Sequence, residues 1–458
     1  MTQDEFAKAA LKRVPVAETL LAVLANLLTK ERLDSIYDAH RGRCYESELS
    51  FQTLVVLLTS AVLEHHASGR QAFRSARDND LVSVTDQAVY RKLGRMPKSV
   101  SQALVGELAA PTKELFPESV TTRVPRCFNA NNIYGIDGKK IKDVAKRLLE
   151  TRGTPGKLMG GKTVVALSVH EGIVVAFHST LDGEANDGPL VPGLLEEVHR
   201  QTPKDNVFLM DSQFCDLTTP NRILAYGSHF VARYHPKTKF YQDTTVKPQK
   251  GIDSLGRNYE EEIGFLGTPG TKTSIRVRRI RVFRDGKEDL LIVTSLLDWN
   301  GYSASDVLDL YGLRWTIETV FLHMTKEFDL RLLIGSTAEA TVFQFSLTLI
   351  LYNVSVLIQQ HASQNQDIPP QEISIPKIVR ICKKQLIAIG TIVPSKAIAQ
   401  AIQADDVSLS GIKRLLNKCW DDDWKKAPKN KRNYAPPPKK KSGAHTSVFR
   451  QIQKYHEL

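Results

Sequence analysis

Cysteine is scarce in this chain, and the five that exist, Cys44, Cys127, Cys215, Cys382 and Cys419, stand far apart with no Cys-x-x-Cys pair. That spacing indicates neither a disulfide framework nor a zinc ribbon, and it leaves buried thiols in a reducing compartment as the expectation. No repeat of fixed period is evident, which sets solenoids and propellers aside. The N-terminal Met-Thr-Gln-Asp-Glu has no basic segment leading into an apolar one. A secretory signal is therefore not expected, and a cytoplasmic location is. Long apolar runs are missing as well. The nearest, residues 341–358, has no charge but is interrupted by Gln344, Ser346, Thr348, Asn353 and Ser355. It reads as a core helix, and no membrane is expected.

What remains is the make-up of a packed protein: 458 residues, 42% hydrophobic and 24% charged. At ~150 residues per domain this length implies two to three folding units. The net charge of +12 points to an anionic partner, nucleic acid or a membrane surface. Eight of the cations fall between Lys425 and Lys441 with no acid among them. With Pro428 and Pro436 to Pro438 in the same stretch, a disordered basic tail is expected there.

Residues 18–30 and 49–64 repeat Leu, Val and Ala at helical spacing, and no strand-like alternation precedes about residue 120. The first quarter is thus expected to be helical. Residues 82–96 within it carry Arg91, Lys92 and Arg95 on an expected helix, either a helix-turn-helix reading head or a solvated basic face. After Pro125 come short apolar or β-branched runs at 133–136, 163–169, 173–177 and 207–210, with a helical pattern at 190–201 before the last. The order is β-β-β-α-β. Residues 275–283 and 290–297 flank Arg284-Asp285-Gly286 and read as a hairpin with a basic surface, suited to phosphate tracking or to a solubilising edge. Helices are expected again from Ser303 to about Trp424.

Two acids close two of these core runs: Asp137 in Ile133-Tyr134-Gly135-Ile136-Asp137-Gly138, and Asp211 in Val207-Phe208-Leu209-Met210-Asp211-Ser212. Carboxylates at strand ends can converge on one hard cation, although Asp before Gly or Ser also serves as a turn or cap residue. A third acid lies in Tyr311-Gly312-Leu313-Arg314-Trp315-Thr316-Ile317-Glu318, after a capping box begun by Ser303 and Asp306. On one continuous helix at ~100° per residue, Tyr311, Arg314 and Glu318 share a stripe. That stripe is either functional or a solvated face with an i,i+4 ion pair.

With these residues assembled, the chain resembles the DDE transposases of bacterial insertion sequences, specifically the insertion-sequence-four type with its Tyr-(2)-Arg-(3)-Glu-(6)-Lys signature. Tyr311, Arg314 and Glu318 match its spacing. The lysine position holds Thr325, and Lys326 comes one residue later, about 100° further round the helix. Asp137-Gly138, Asp211-x-x-Phe214, Arg233 after His229-Phe230-Val231-Ala232, and Thr294-Ser295-Leu296 extend the likeness over roughly residues 130 to 360.

The resemblance implies an α/β, ribonuclease-H-like core with a β-rich insertion, a helical domain before it and a helical region after it. The implied division is 1–125 for a helical domain that binds DNA ends, 126–340 for the catalytic domain with its insertion at about 236–300, 341–424 for the helical region and 425–458 for the basic tail. It further implies that Asp137, Asp211 and Glu318 are catalytic and hold two Mg²⁺ ions, with Mn²⁺ as an expected substitute. Tyr311, Arg314, Lys326 and Arg233 would contact DNA, and Trp299 would receive a flipped base or simply pack. The partners implied are double-stranded DNA, as terminal inverted repeats and as target, and a second copy of the chain in the synaptic complex. The activity implied is metal-dependent cleavage and strand transfer; a catalytically inactive, DNA-binding regulator is the alternative.

Overall fold

Among the described residues seven helices come first: α1 (Gln3–Leu11), α2 (Pro15–Leu27), α3 (Lys30–His40), α4 (Phe51–Leu63), α5 (Gly69–Asp78), α6 (Asp86–Leu93) and α7 (Lys98–Glu114). In this computed structural model the residues described are 2–43, 48–64, 68–79, 81–118, 123–142, 157–330, 332, 334–335, 337–404, 406–426 and 445–457. Hydroxyl caps start several of the helices: the Thr29, Ser50 and Thr85 side chains each accept from the backbone N–H three residues on. This satisfies donors that a helix start leaves unpaired. Of the three cations in the expected reading head, Lys92 turns inward, donating to the Leu49 carbonyl with its ammonium 5.2 Å from the Tyr37 ring. Arg91 and Arg95 remain exposed.

The strands follow in the expected order: β1 (Asn132–Lys142), β2 (Lys157–Ser168), β3 (Val174–Thr180), α8 (Val191–Gln201), β4 (Asn206–Met210), α9 (Thr218–Ala225) and β5 (His229–Arg233). β2 pairs antiparallel with β1 and β3, while β4 lies parallel to β1 and β5 parallel to β4. Spatially the strands run β3-β2-β1-β4-β5. This is the ribonuclease-H-like arrangement.

The β-rich insertion is not a separate layer. It comprises β6 (Phe240–Gln242), β7 (Gln249–Ile252), β8 (Asn258–Leu266), β9 (Ile275–Val282) and β10 (Leu290–Thr294). β10 pairs antiparallel with β5, so the central sheet continues outward through β9 and β8. The β9–β10 hairpin falls where the sequence places it. Its arginines are not a bare cationic face, however: Arg276 pairs with Asp243, Arg278 with Glu261, Arg279 with Glu262 and Arg281 with Asp289. Cross-strand acids, invisible to a local reading, neutralise the strand.

The chain closes with α10 (Ala304–Gly312), α11 (Trp315–Glu327), α12 (Ala338–Gln366), α13 (Ile375–Ile392), α14 (Ser395–Ala404) and α15 (Leu409–Lys418). α12, the long uncharged run, is buried along almost all of its length. Its Asn353 side chain accepts from the Val174 N–H and donates to the Val174 carbonyl, fixing it to β3. One apolar cluster runs from α2 and α4 through α12 into β2 and β3. Cys44 and residues 427–444, most of the expected basic tail, lie outside the described residues. Beyond them the chain is not a tail: β11 (His445–Ser447) pairs parallel with β2 and leads into α16 (Val448–Glu457).

Candidate active site

Strand register brings the first two acids together. Ile136 of β1 stands opposite Met210 of the parallel strand β4, and Asp137 and Asp211 are the next residue on each. Adjacent strands lie ~4.8 Å apart, so the two carboxylates leave neighbouring positions on the sheet. The Gly138 N–H donates to Asp137 Oδ1 at 2.8 Å. Asp211, in extended backbone, begins a tight turn in which the Phe214 N–H donates to its carbonyl.

Gly138 has a packing role of its own. A Cβ there would come within 2.5 Å of the Asp187 carboxylate, which Lys162 pins at 2.8 Å with both side chains only 10% exposed. Gly138→Ala is therefore expected to destabilise the fold by about 1–3 kcal/mol, read from urea denaturation. Alanine tolerated at no cost would mean that the Lys162–Asp187 pair is not held in place.

Glu318 arrives on α11, which packs on β1. Lys139, two residues beyond Asp137 on the same face of the strand, lies 5.4 Å from the ring of Phe321, three residues beyond Glu318. The helix carrying the signature is not continuous. α10 ends at Gly312 and α11 starts at Trp315, with three-residue hydrogen bonds (Arg314 N–H to Tyr311 carbonyl, Ile317 N–H to Arg314 carbonyl) tightening the join. Glycine is a weak helix former, and the tightening begins there. The single stripe expected for Tyr311, Arg314 and Glu318 is interrupted by this break. The three still meet: Arg314 donates to Glu318 at 3.1 Å, hydrogen-bonds the Tyr311 side chain, and stands 5.0 Å from the Trp315 ring. Arg314 and Tyr311 are buried, while the Glu318 side chain keeps 40% of its surface exposed.

Charge couples the three acids. Burial first pushes the Asp137 carboxyl up to about 6; the Gly138 N–H and Arg314 pull it back, and Glu318 and Asp211 push it further. Burial also raises the Tyr311 phenol, against the pull of Arg314 and Arg233. Burial works against the Arg314 guanidinium, yet Tyr311, Asp211 and Glu318 together hold it above its ordinary value. Arg314 is thus the counter-ion of the cluster.

The donor set is carboxylate oxygen throughout, the type a hard divalent cation takes, and the mutual repulsion felt by Asp137 marks a cluster short of positive charge. In donor chemistry the residues fit the expected ions. The closed ligand geometry is a different matter: among the described residues no three His, Cys, Asp or Glu side chains are gathered as an ion-holding group. Glu318 is turned to Arg314 instead.

The other expected contacts divide. Arg233 shares a cleft of about 350 Å³ with Asp211, Tyr311 and Arg314. Lys326 lies eight residues past Glu318, about 12 Å along the helix, and its charge acts on His323 and Glu327. Trp299 does not join the site, since its ring stacks on the buried Arg278, 5.8 Å away. Two lining residues of the cleft were not among the expected contacts, both in turns of the insertion: Arg257, which had no signal in the sequence, and Arg284, which was read only as part of a hairpin turn.

No curated protein matches the chain. A solved structure of piggyBac transposase in a synaptic complex with hairpin DNA aligns over 88% of this chain and 86% of that one, at 9% identity and a TM-score of 0.41. Residues 136–354 match the family described as the transposase DDE domain. The matched stretch contains Asp137, Asp211 and Glu318 together, so the similarity to the transposase DDE domain extends over the part of the chain that carries all three acids.

Proposed function

We propose that this protein is a DNA transposase of the insertion-sequence-four type, which binds the terminal inverted repeats of its element, cleaves them and joins the 3′ ends to target DNA. The observation that carries the reading is the electrostatic coupling of Asp137, Asp211 and Glu318, from two adjacent parallel strands and a helix, inside the stretch similar to the transposase DDE domain. Held by these three acids, Mg²⁺ or Mn²⁺ ions would activate the attacking water or 3′-hydroxyl and stabilise the leaving oxygen. The chain's own part is to hold and orient. Tyr311 and Arg314 grip phosphate beside the acids, the guanidinium offering the forked geometry that phosphate favours. The helices before residue 125 are the candidate end-binding part, and two copies pair the two ends.

The test is Mg²⁺- or Mn²⁺-dependent cleavage and joining on DNA carrying the ends that flank the gene. Wild type is expected to cut and join, and Glu318→Ala to lose both. Full strand transfer by Glu318→Ala would falsify the assignment. A second reading, an inactive DNA-binding regulator, rests on Thr325 at the lysine position and on Glu318 being turned to Arg314. Binding by wild type without metal-dependent cleavage would select it.

A further inference from the structure

The insertion does more than lengthen the sheet: two of its turns form a wall of the cleft beside Asp211. The first turn, between β7 and β8, is a built object. Asp253, almost fully buried, accepts from the N–H groups of Leu255 and Arg257 and from the Arg257 guanidinium, Nε to Oδ2 at 2.7 Å. The same turn is docked on α10: the Ser254 N–H donates to Ser305 Oγ at 2.9 Å, and Ser254 Oγ donates to Asp309 Oδ1 at 2.6 Å. The second turn, between β9 and β10, presents Arg284, whose guanidinium donates to the Glu288 carbonyl and has no carboxylate partner among the described residues. Across the cleft stand Arg233 and Arg314.

Four guanidiniums thus line a cleft with two carboxylates, Asp211 and Asp309, and one oxygen of Asp309 is already taken by Ser254. Arg257 and Arg314 hold acids outside that lining, Asp253 and Glu318, while Arg233 and Arg284 have no carboxylate partner among the described residues. Arginines so close together repel one another and need an anion between them. On β9 every arginine is spent on an acid, whereas here Arg233 and Arg284 are not. Arg257 is aimed from behind by a carboxylate that does not line the cleft: Asp253 Oδ2 takes its Nε and one terminal nitrogen at 2.6 Å, and the other terminal nitrogen is left for a ligand. A guanidinium held in this way loses little freedom on binding, which favours a phosphodiester as its partner.

We propose that Arg257 and Arg284 form a phosphate clamp for the DNA strand next to the carboxylate cluster, with Asp253 as the residue that positions Arg257. The proposal rests on the DNA-transposase reading, but it concerns binding and not cleavage.

The experiment measures the affinity of the full chain for a short fluorescent duplex drawn from the DNA flanking the gene, without divalent ions, across a series of salt concentrations. Arg257→Ala and Arg284→Ala are each expected to weaken binding about tenfold. Each should also lower the slope of log affinity against log salt by about one. Arg257→Lys should restore the slope, because the charge returns, without fully restoring affinity. Lys287→Ala, in the same turn as Arg284 but outside the cleft lining, should leave the slope unchanged. Arg284→Ala keeps the test valid if Arg257→Ala disturbs its turn, since Arg284 has no link to Asp253. Unchanged slopes in both arginine variants, or an equal loss in Lys287→Ala, would overturn the clamp. Wild-type cleavage, assayed in parallel, tests the transposase reading separately.

Discussion

Replacing Asp137 by Asn is expected to abolish metal-dependent cleavage and joining while making the folded protein more stable. The two effects share one cause. The Asp137 carboxyl is pushed up to about 6, by burial first and then by Glu318 and Asp211. A carboxyl raised in the folded state favours folding when protonated. Its contribution is fully present below the unfolded value near 4 and is lost as the pH rises through about 6. At neutral pH the wild type therefore carries the cost of a crowded, partly buried charge. Asn keeps the shape and never ionises. A carboxyl raised to about 6 corresponds to roughly 3 kcal/mol, and partial solvent access reduces this to on the order of 1–3 kcal/mol. Urea denaturation in the presence of a chelator should show the variant ahead at about pH 7 and level with wild type near pH 4. A variant less stable than wild type at neutral pH would show that Asp137 is a structural carboxylate, and its loss of activity would then say nothing about chemistry.

The second large effect lies away from the acids. Arg278 is fully buried, pairs with Glu261 across β8 and β9, donates to the Tyr302 carbonyl at 2.6 Å and carries the Trp299 ring on its face. Burial alone raises the Glu261 carboxyl, and Arg278 is what draws it down. Arg278→Ala leaves that acid buried without its cation, at an expected cost of about 3–5 kcal/mol. Replacing both partners, Arg278→Met with Glu261→Leu, should recover most of the loss, because an apolar pair of similar size leaves no charge to solvate. If Arg278→Ala costs less than about 0.5 kcal/mol by urea denaturation, the pair is not holding the insertion. Activity should follow stability here, since Tyr302 precedes Ser303, the cap of the helix that carries Tyr311.

These two predictions also mark how far the sequence could be read. The core strands, the helix between them, the β9–β10 hairpin and the Ser303 cap were legible because each is written in local spacing, either alternation, 3.6-residue periodicity or a hydroxyl three residues before an acceptor's partner. Asp211, just past the end of β4, was legible for the same reason; Asp137 was expected at a strand end too, but pairing with β2 carries β1 on to Lys142 and leaves it in mid-strand. What was not legible depends on partners distant in the chain. The arginines of β9 read as a cationic face until β8 supplies Glu261 and Glu262. Trp299 reads as a free aromatic until Arg278 is seen beneath it. The break after Gly312, with Arg314 buried at the join, is a departure from one helix that periodicity does not carry. Arg257 and Arg284 lie in turns 27 residues apart in sequence, and only pairing of the strands between them turns both toward Asp211.

The unbroken apolar cluster joining the first helices, α12 and the sheet has a mechanical consequence. A swing of α2 or α4 against β2 would have to open side chains with almost no exposed surface, so this part of the chain is expected to exchange its amide hydrogens as one slow block. DNA gripped by the early helices would then sit at a set span from Asp137, Asp211 and Glu318. The core would act as a ruler, converting recognition of a sequence at one end into a cutting position counted in base pairs at the other.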